Sequence, residues 1–377
     1  MNALFVYNYP LIFDASSPDR ARMRAYAAAI GELHVLSPLP AASEEQDGPL
    51  HLHGIRTPRL MRPFALASRA RALILEHGIE VVSAHDPFEQ GYAALRAVRG
   101  TNAKLHVQLH TDPFSPWFVK SGNWRSPQVR MPFLNSIRRR LADKVLPKAA
   151  GICTVSKRVK DSLIVRYGTR IKEPSIIPVA VSSTVQPKVA LPANPFAFSL
   201  IAASRLEPEK RIEDILAALA LVVPHYPSAG LFIAGEGRER ARLEKMARML
   251  KLEKHVVFLG WRTDAQGLMQ SAQAFIQASA YEGYGMTFVE AALAKVPIIT
   301  TDVGIIGEVF KGYDDVLAAP VADPTALSLH IVGLIEDMRV RFELPRHAQE
   351  TALAHLASQP ADHAAAIAAD LAKVLAA

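Results

Sequence analysis

A single cysteine, Cys153, occurs among 377 residues. No internal disulfide and no thiolate metal cluster can form from it, which excludes a disulfide-stapled secreted domain and points to a reducing compartment. No run of about 18 apolar residues is present, so no membrane-spanning helix is expected. The start, Met1-Asn2-Ala3-Leu4-Phe5-Val6-Tyr7, lacks basic residues, a long apolar stretch and a small-residue cleavage site, so no secretory signal is expected. There is no internal repeat, no low-complexity tract and no Asp-x-Asp motif. The 13 histidines show no close pairing of metal type along the chain, so no metal site is assigned. These absences lead to the expectation of a cytoplasmic protein, with peripheral attachment to the inner face of the membrane as a further option.

What is present is ordinary globular composition, with 50% hydrophobic and 21% charged residues, which excludes disorder or a fibrous fold as the main description. The length predicts about two domains. A formal net charge of +7 suggests an anionic partner such as a nucleotide, a nucleic acid or an acidic membrane surface.

Short apolar runs alternate with helical segments. Strands are predicted at 3–8, 33–36, 79–83, 105–109 and 152–155, with helices between them; one begins after Ser17-Pro18, an N-cap followed by proline at the first helical position. Around 185–195, Pro187, Pro192 and Pro195 interrupt all periodicity, which predicts a linker. The alternation then restarts, with strands at 198–203, 230–234, 256–259, 274–277 and 298–300. The pattern predicts an α/β fold of two Rossmann-like halves, 1–187 and 195–350, whose strand ends face each other across a ligand-binding cleft. An alanine-rich amphipathic helix at 360–377 follows, and is expected to pack back on the N-terminal half.

The most informative stretch is Glu282-Gly283-Tyr284-Gly285-Met286-Thr287-Phe288-Val289-Glu290. Gly283 and Gly285 let the backbone approach a ligand, and the amides at the following helix start suit an anionic or hydroxyl-rich group. Glu282 at the helix mouth and Glu290 one turn inside suit two sets of vicinal hydroxyls. The plain alternative is a solvated glutamate and a capping one. Upstream, Ser204-Arg205-Leu206-Glu207-Pro208-Glu209-Lys210 follows a strand, and its two cations at a helix start suit a diphosphate. The alternative there is a surface charge cluster. Gly235-Glu236-Gly237 makes another strand-to-helix turn, and Phe258-Leu259-Gly260-Trp261 offers a wall for a base.

Together with Thr301-Asp302-Val303-Gly304 and Glu308, these pieces resemble, in order and spacing over about 110 residues, the donor half of the retaining family 4 glycosyltransferases of the GT-B fold. The resemblance implies that Arg205 and Lys210 hold the diphosphate of a nucleotide sugar. Glu282 faces the sugar beside the amides of Gly283, Tyr284, Gly285, Met286 and Thr287, and Glu290 takes the ribose hydroxyls. Gly235, Gly237, Leu259 and Arg262 flank the rest of the donor. No metal or other cofactor is implied, because cations and a helix dipole neutralise the leaving diphosphate. The activity implied is transfer of a hexose to a hydroxyl of a glycan, a lipid-linked sugar or a small molecule.

In the first half, His110-Thr111-Asp112-Pro113 resembles the family's cleft-edge histidine, which places His110 with Arg205, Lys210 and Glu282 as catalytic candidates; an idle loop histidine is the alternative. Two departures stand out. The usual Gly-Gly loop after the first strand is replaced by Asn8-Tyr9-Pro10-Leu11, which implies a differently shaped acceptor site, and Gly304-Ile305-Ile306-Gly307 replaces a Gly-Gly-Ile-Pro-like turn.

The stretch from Lys120 to Lys148 carries Lys120, Arg125, Arg130, Arg138, Arg139, Arg140, Lys144 and Lys148 against Asp143 alone, with Trp124, Met131, Phe133 and Leu134 interleaved. It suits an anionic membrane surface or a lipid-linked acceptor, or else a solvated helix packed by one face. Two rivals stay open: a basic membrane- or nucleic-acid-binding protein on an inactive GT-B fold, and a nucleotide-sugar epimerase. With the acidic and basic motif residues intact, no nucleic acid partner is expected.

Overall fold

A computed structural model describes residues 1–119, 133–192 and 195–376. Lys120, Trp124, Arg125, Arg130 and Met131 therefore lie outside the described residues. The chain forms two compact units. One comprises Met1–Ser115, Phe133–Pro178 and Pro360–Ala377; the other comprises Pro116–Pro132 and Val179–Gln359.

The first unit is built on β1 (Asn2–Val6), β2 (Glu32–Leu39), β3 (Ser43–Asp47), β4 (Leu50–Arg56), β5 (Val81–Ala84), β6 (Lys104–Leu109), β7 (Gly151–Thr154) and β8 (Ser175–Ile176). Their order in the sheet is β3-β4-β2-β1-β5-β6-β7-β8, parallel throughout except for the β3–β4 pair. The strands are short and apolar because helices cover both faces of a parallel sheet; β1 is buried from Ala3 to Val6. The helix Pro18–Ile30 starts where the sequence signals it. Ser17 Oγ accepts from the Arg20 amide, proline takes the first position, and Gly31 at φ 112° ends the helix. The C-terminal helix His363–Ala376 buries Ile367, Leu371 and Val374 within this unit. It is further held by a His106 Nε2–Asp370 Oδ2 contact of 3.1 Å and a Tyr26 hydroxyl–His363 Nδ1 contact of 3.2 Å.

The second unit is built on β9 (Phe198–Ala203), β10 (Ala229–Ala234), β11 (Val256–Gly260), β12 (Ala274–Gln277), β13 (Ile298–Thr301) and β14 (Leu317–Ala319), in the order β11-β10-β9-β12-β13-β14 and all parallel. The strand order reverses at β9. The chain runs outward through β10 and β11 on one side, then returns to β12 on the other. Loops leaving β9 and β12 therefore diverge above the middle of the sheet, the position where open α/β sheets hold ligands.

The expected boundary at 187 differs from the division at Pro178–Val179. The proline-rich segment is not a free tether. The Gln186 amide donates to Gln266 Oε1 at 2.8 Å, Gln270 Nε2 donates to Gln186 O at 2.6 Å, and the Val189 amide donates to Gly267 O at 3.0 Å, tying the segment to the helix Ala265–Met269. Prolines erase hydrophobic periodicity, but they leave the neighbouring amides free to dock.

Candidate active site

Lys210 and Glu282 lie 72 positions apart in sequence and meet above the middle of the second sheet. Lys210 Nζ stands 2.5 Å from Glu282 Oε1, and both side chains are largely buried. The loop after β9 is brought there by the Ala280 amide, which donates to Glu209 O at 2.7 Å. The same Glu282 Oε1 accepts from Gln277 Nε2 at 2.8 Å and from Ser279 Oγ at 2.8 Å. Thr287 Oγ1 in turn donates to Gln277 Oε1 at 2.6 Å. One carboxylate oxygen thus takes three donors, and Oε2 has no hydrogen-bond partner among the described residues. Gln277 and Ser279 were not singled out in the sequence. The signal was available: two buried polar residues at the end of an otherwise apolar strand.

Glu290 sits in the helix Met286–Leu293, which starts directly after Gly285 at φ 93°. Its carboxylate has no partner among the described residues, and burial alone raises its pKa. A half-buried, unpartnered carboxylate is an acceptor awaiting donors. Met286 and Thr287 supply the first amides of this helix, and Gly283 and Tyr284 the backbone before it. The side chain of Tyr284 is engaged elsewhere: its hydroxyl meets His355 Nε2 at 2.8 Å and accepts from Gln359 Nε2 at 2.9 Å.

Arg205 lies in the same loop as Lys210, but the structure does not bring it to Glu282. It is exposed and paired with Glu209 at 3.2 Å. Gly235 and Gly237 are demanded by the protein's own backbone. A Cβ on Gly235 would stand 1.8 Å from Ser204 O, and one on Gly237 would stand 2.3 Å from Leu206 O. The two loops are further joined by the Leu206 amide donating to Glu236 O at 2.8 Å and the Glu239 amide donating to Leu206 O at 3.0 Å. Gly304 does the same on the other side, where a Cβ would stand 2.3 Å from Tyr284 O. Leu259 in β11 is half-buried, and Arg262 just beyond it is closed on Asp264 by two contacts of 2.7 and 2.6 Å.

Family models match nearly the whole chain in two parts: "Glycosyltransferase Family 4" over residues 23–184 and "Glycosyl transferases group 1" over residues 190–353. The chain belongs to glycosyltransferase family 4. Its fold is GT-B. A solved structure of Anabaena HepE in complex with UDP-glucose is matched at a TM-score of 0.71, with 19% identity, over 100% of this chain and 99% of that one. The glycogen synthase of Mycobacterium tuberculosis is 29% identical over 189 residues, 49% of this chain and 45% of its own, so the match spans less than half of that relative. The alpha-monoglucosyldiacylglycerol synthase of Acholeplasma laidlawii is 25% identical over 321 residues, 78% of this chain and 75% of its own.

The family 4 chain also buries a charged pair directly behind its site. Arg211 is fully buried with φ 48°, and its guanidinium grips both oxygens of Asp214 at 2.6 and 2.8 Å. Burial pushes Asp214 up to about 6 against the lowering effect of Arg211. The sequence places Arg211 beside Lys210 in what reads as a surface loop, and nothing in its spacing marks it as buried.

In the first unit, His110 stands at the end of β6 with its ring 5.8 Å from that of His85 and nearly parallel to it. Surrounding protein, then Arg22 and His363, hold its imidazole down to about 4, although the residue keeps an exposed face; the ring is neutral at pH 7. Burial also pushes Asp86, at the end of β5, up to about 7. A cavity of about 470 Å³ opens above the middle of this sheet, lined by Asn8, Arg59, Leu60, Asp86, Phe88 and Arg138 among others. The sequence missed this cavity because its walls come from five separated segments.

Proposed function

We propose that the protein transfers a hexose from a nucleoside diphosphate sugar to an acceptor hydroxyl with retention of anomeric configuration. The observation that carries this reading is the Lys210–Glu282 pair with an unpartnered Glu290 one turn further along, all above the reversal point of a parallel sheet. Lys210, with Arg205 swinging from Glu209, neutralises the diphosphate. Glu282 Oε2 accepts from sugar hydroxyls, and Glu290 accepts from the ribose. The bond between the anomeric carbon and the diphosphate oxygen breaks, and the acceptor oxygen bonds to that carbon on the same face. The departing diphosphate takes the acceptor proton, so no carboxylate nucleophile is needed. Two cations and a helix N-terminus supply the charge that a divalent metal would otherwise bring, which supports metal-independent turnover. The HepE complex makes UDP-glucose the first donor to test.

The acceptor is proposed to carry an anionic lipid anchor. Leu60, 89% exposed, and Leu134 line the 470 Å³ cavity with Arg59, Arg62 and Arg138, and Met61, Phe64, Phe133 and Ile137 nearby in sequence are also exposed. Exposed apolar side chains ringed by arginines suit the headgroup region of an acidic membrane. No helix among the described residues is long and apolar enough to cross a membrane. The deciding experiment follows product from UDP-, GDP- and ADP-sugars with acceptor in anionic vesicles and in detergent. Donor-dependent product with the α configuration kept from an α-linked donor supports the reading; an inverted product, or none from any donor, overturns it.

A further inference from the structure

Four histidines from two strands and a helix end, His34, His51, His53 and His77, converge at the other end of the first sheet. The two-residue period of a strand puts Glu32 and His34 on one face of β2 and His51 and His53 on one face of β4. Parallel pairing then sets His34 beside His51 and Leu36 beside His53. His77, the last residue of the helix Arg62–His77, lays its ring 4.4 Å from that of His34. The rings of His34 and His51 are stacked at 4.5 Å and 11°. This corrects the sequence-level reading that the histidines are scattered: strand register, not spacing, brings them together.

The hydrogen bonds assign the protons. His53 Nδ1 contacts the Glu44 carboxylate, so for a neutral ring it carries the proton and leaves a lone pair on Nε2. That Nε2 stands 3.0 Å from His34 Nδ1, which must therefore donate. His34 Nε2 is left as a bare lone pair. Beside it, His51 Nε2 stands 2.8 Å from Glu32 Oε2, a contact whose shared proton a metal ion would release to solvent on binding, and ligand atoms of Glu32, His34 and His51 all lie within 4.8 Å of one another. A carboxylate that fixes a histidine tautomer through its far nitrogen is the outer support found around metal-binding imidazoles.

We propose that Glu32, His34 and His51 form a binding site for a divalent transition-metal ion, zinc being the best chemical match, with a water as fourth ligand. Two imidazole nitrogens and one carboxylate oxygen are a zinc donor set with one open position. Glu44 and His53 orient His34 from behind. The site sits at the starts of β2 and β4, whereas the 470 Å³ cavity and His110 lie at the strand ends, so its task is to staple the outer strands rather than to serve the transfer reaction.

The test uses untagged full-length protein, stripped with chelator and titrated with Co2+ as an optical probe and then with Zn2+. A saturable tetrahedral Co2+ band displaced by one equivalent of Zn2+, with a melting temperature that rises with Zn2+, is expected. His51→Gln, at a half-buried position, and Glu32→Gln, at an exposed one, should lose the band, while His225→Gln, an exposed histidine elsewhere, should keep it. Wild-type protein that shows no saturable Co2+ or Zn2+ binding overturns the proposal regardless of how the variants fold. So does a band that persists in both folded cluster variants.

Discussion

The upper edges of the two sheets hold their ionisable groups in opposite ways. Above the second sheet most of the groups lie in ion pairs, Glu290 apart: Lys210 with Glu282, Arg262 with Asp264, Arg240 with Glu236 and Glu244. Above the first sheet two histidines and two aspartates are pushed toward their neutral forms. Burial lowers the pKa of His85 and His110 and raises that of Asp86 and Asp112. A charged edge suits a dianionic diphosphate, for which each cation contributes directly. The neutral groups of the first edge suit hydroxyl groups, which need donors and acceptors, while Arg59 and Arg138 line the cavity beside them. The difference between the edges matches the difference between the two proposed substrates better than any single residue does.

Four measurements break or sharpen this contrast, taken from the largest expected effect downward. Arg211→Ala leaves the Asp214 carboxylate buried without its partner, so unfolding free energy should fall by about 3–5 kcal/mol in denaturant titration. A loss under 1 kcal/mol, roughly the range of an exposed pair, would place this pair outside the core. Lys210→Ala removes a charge-assisted contact to the leaving group, and kcat/KM should fall by about 1.5–3 kcal/mol, roughly 10- to 150-fold. Arg205→Ala should fall less in the free-enzyme melting temperature than Arg211→Ala, yet lose donor affinity alongside Lys210→Ala. Wild-type donor kinetics in both single variants would remove the diphosphate from this loop.

The third measurement concerns Asp86. Its folded pKa of about 7 lies above the unfolded value near 3.8, so the unfolded chain gives up the proton first as pH rises. The contribution of Asp86 to stability is therefore fully present below about pH 4 and is lost progressively toward pH 7. Asp86→Asn keeps the neutral form, so its melting temperature should exceed wild type at pH 8 and match it near pH 4. Equal melting curves at both pH values would mean that Asp86 is not held neutral. The smallest effect is expected of EDTA, which should leave the initial transfer rate unchanged well below the melting temperature. Loss of activity restored by Mn2+ would show that the paired cations do not suffice for the diphosphate.

The meeting of Lys210 and Glu282 was foreshadowed in the sequence because the two residues sit in local stretches, each straight after an apolar run. The strands Phe198–Ala203 and Ala274–Gln277 were read at their true bounds for the same reason. The hairpin Ser43–Asp47 and Leu50–Arg56 was not seen. Its outer strand, Ser-Glu-Glu-Gln-Asp, is polar because it edges the sheet, and its partner mixes histidine with leucine. Arg211 and the histidine cluster were hidden for a common reason. Burial of a charged residue and convergence across parallel strands are tertiary facts, set by register and by loop conformation, with no counterpart in local spacing.

The crowding of three donors onto one oxygen of Glu282 makes the polarity of this site directional. Glutamine at 282 would fit the same space, and the three donors would oblige it to turn its carbonyl toward Lys210, Gln277 and Ser279. The amide nitrogen would then occupy the place of Oε2. An acceptor facing the ligand would become a donor, at nearly unchanged volume. A hydroxyl group tolerates such an inversion by rotating its proton away, whereas a group able only to donate does not. Glu282→Gln therefore reads out, through which donor sugars survive it, whether the ligand contact at Oε2 is a rotatable hydroxyl or a fixed N–H, such as that of an acetamido substituent.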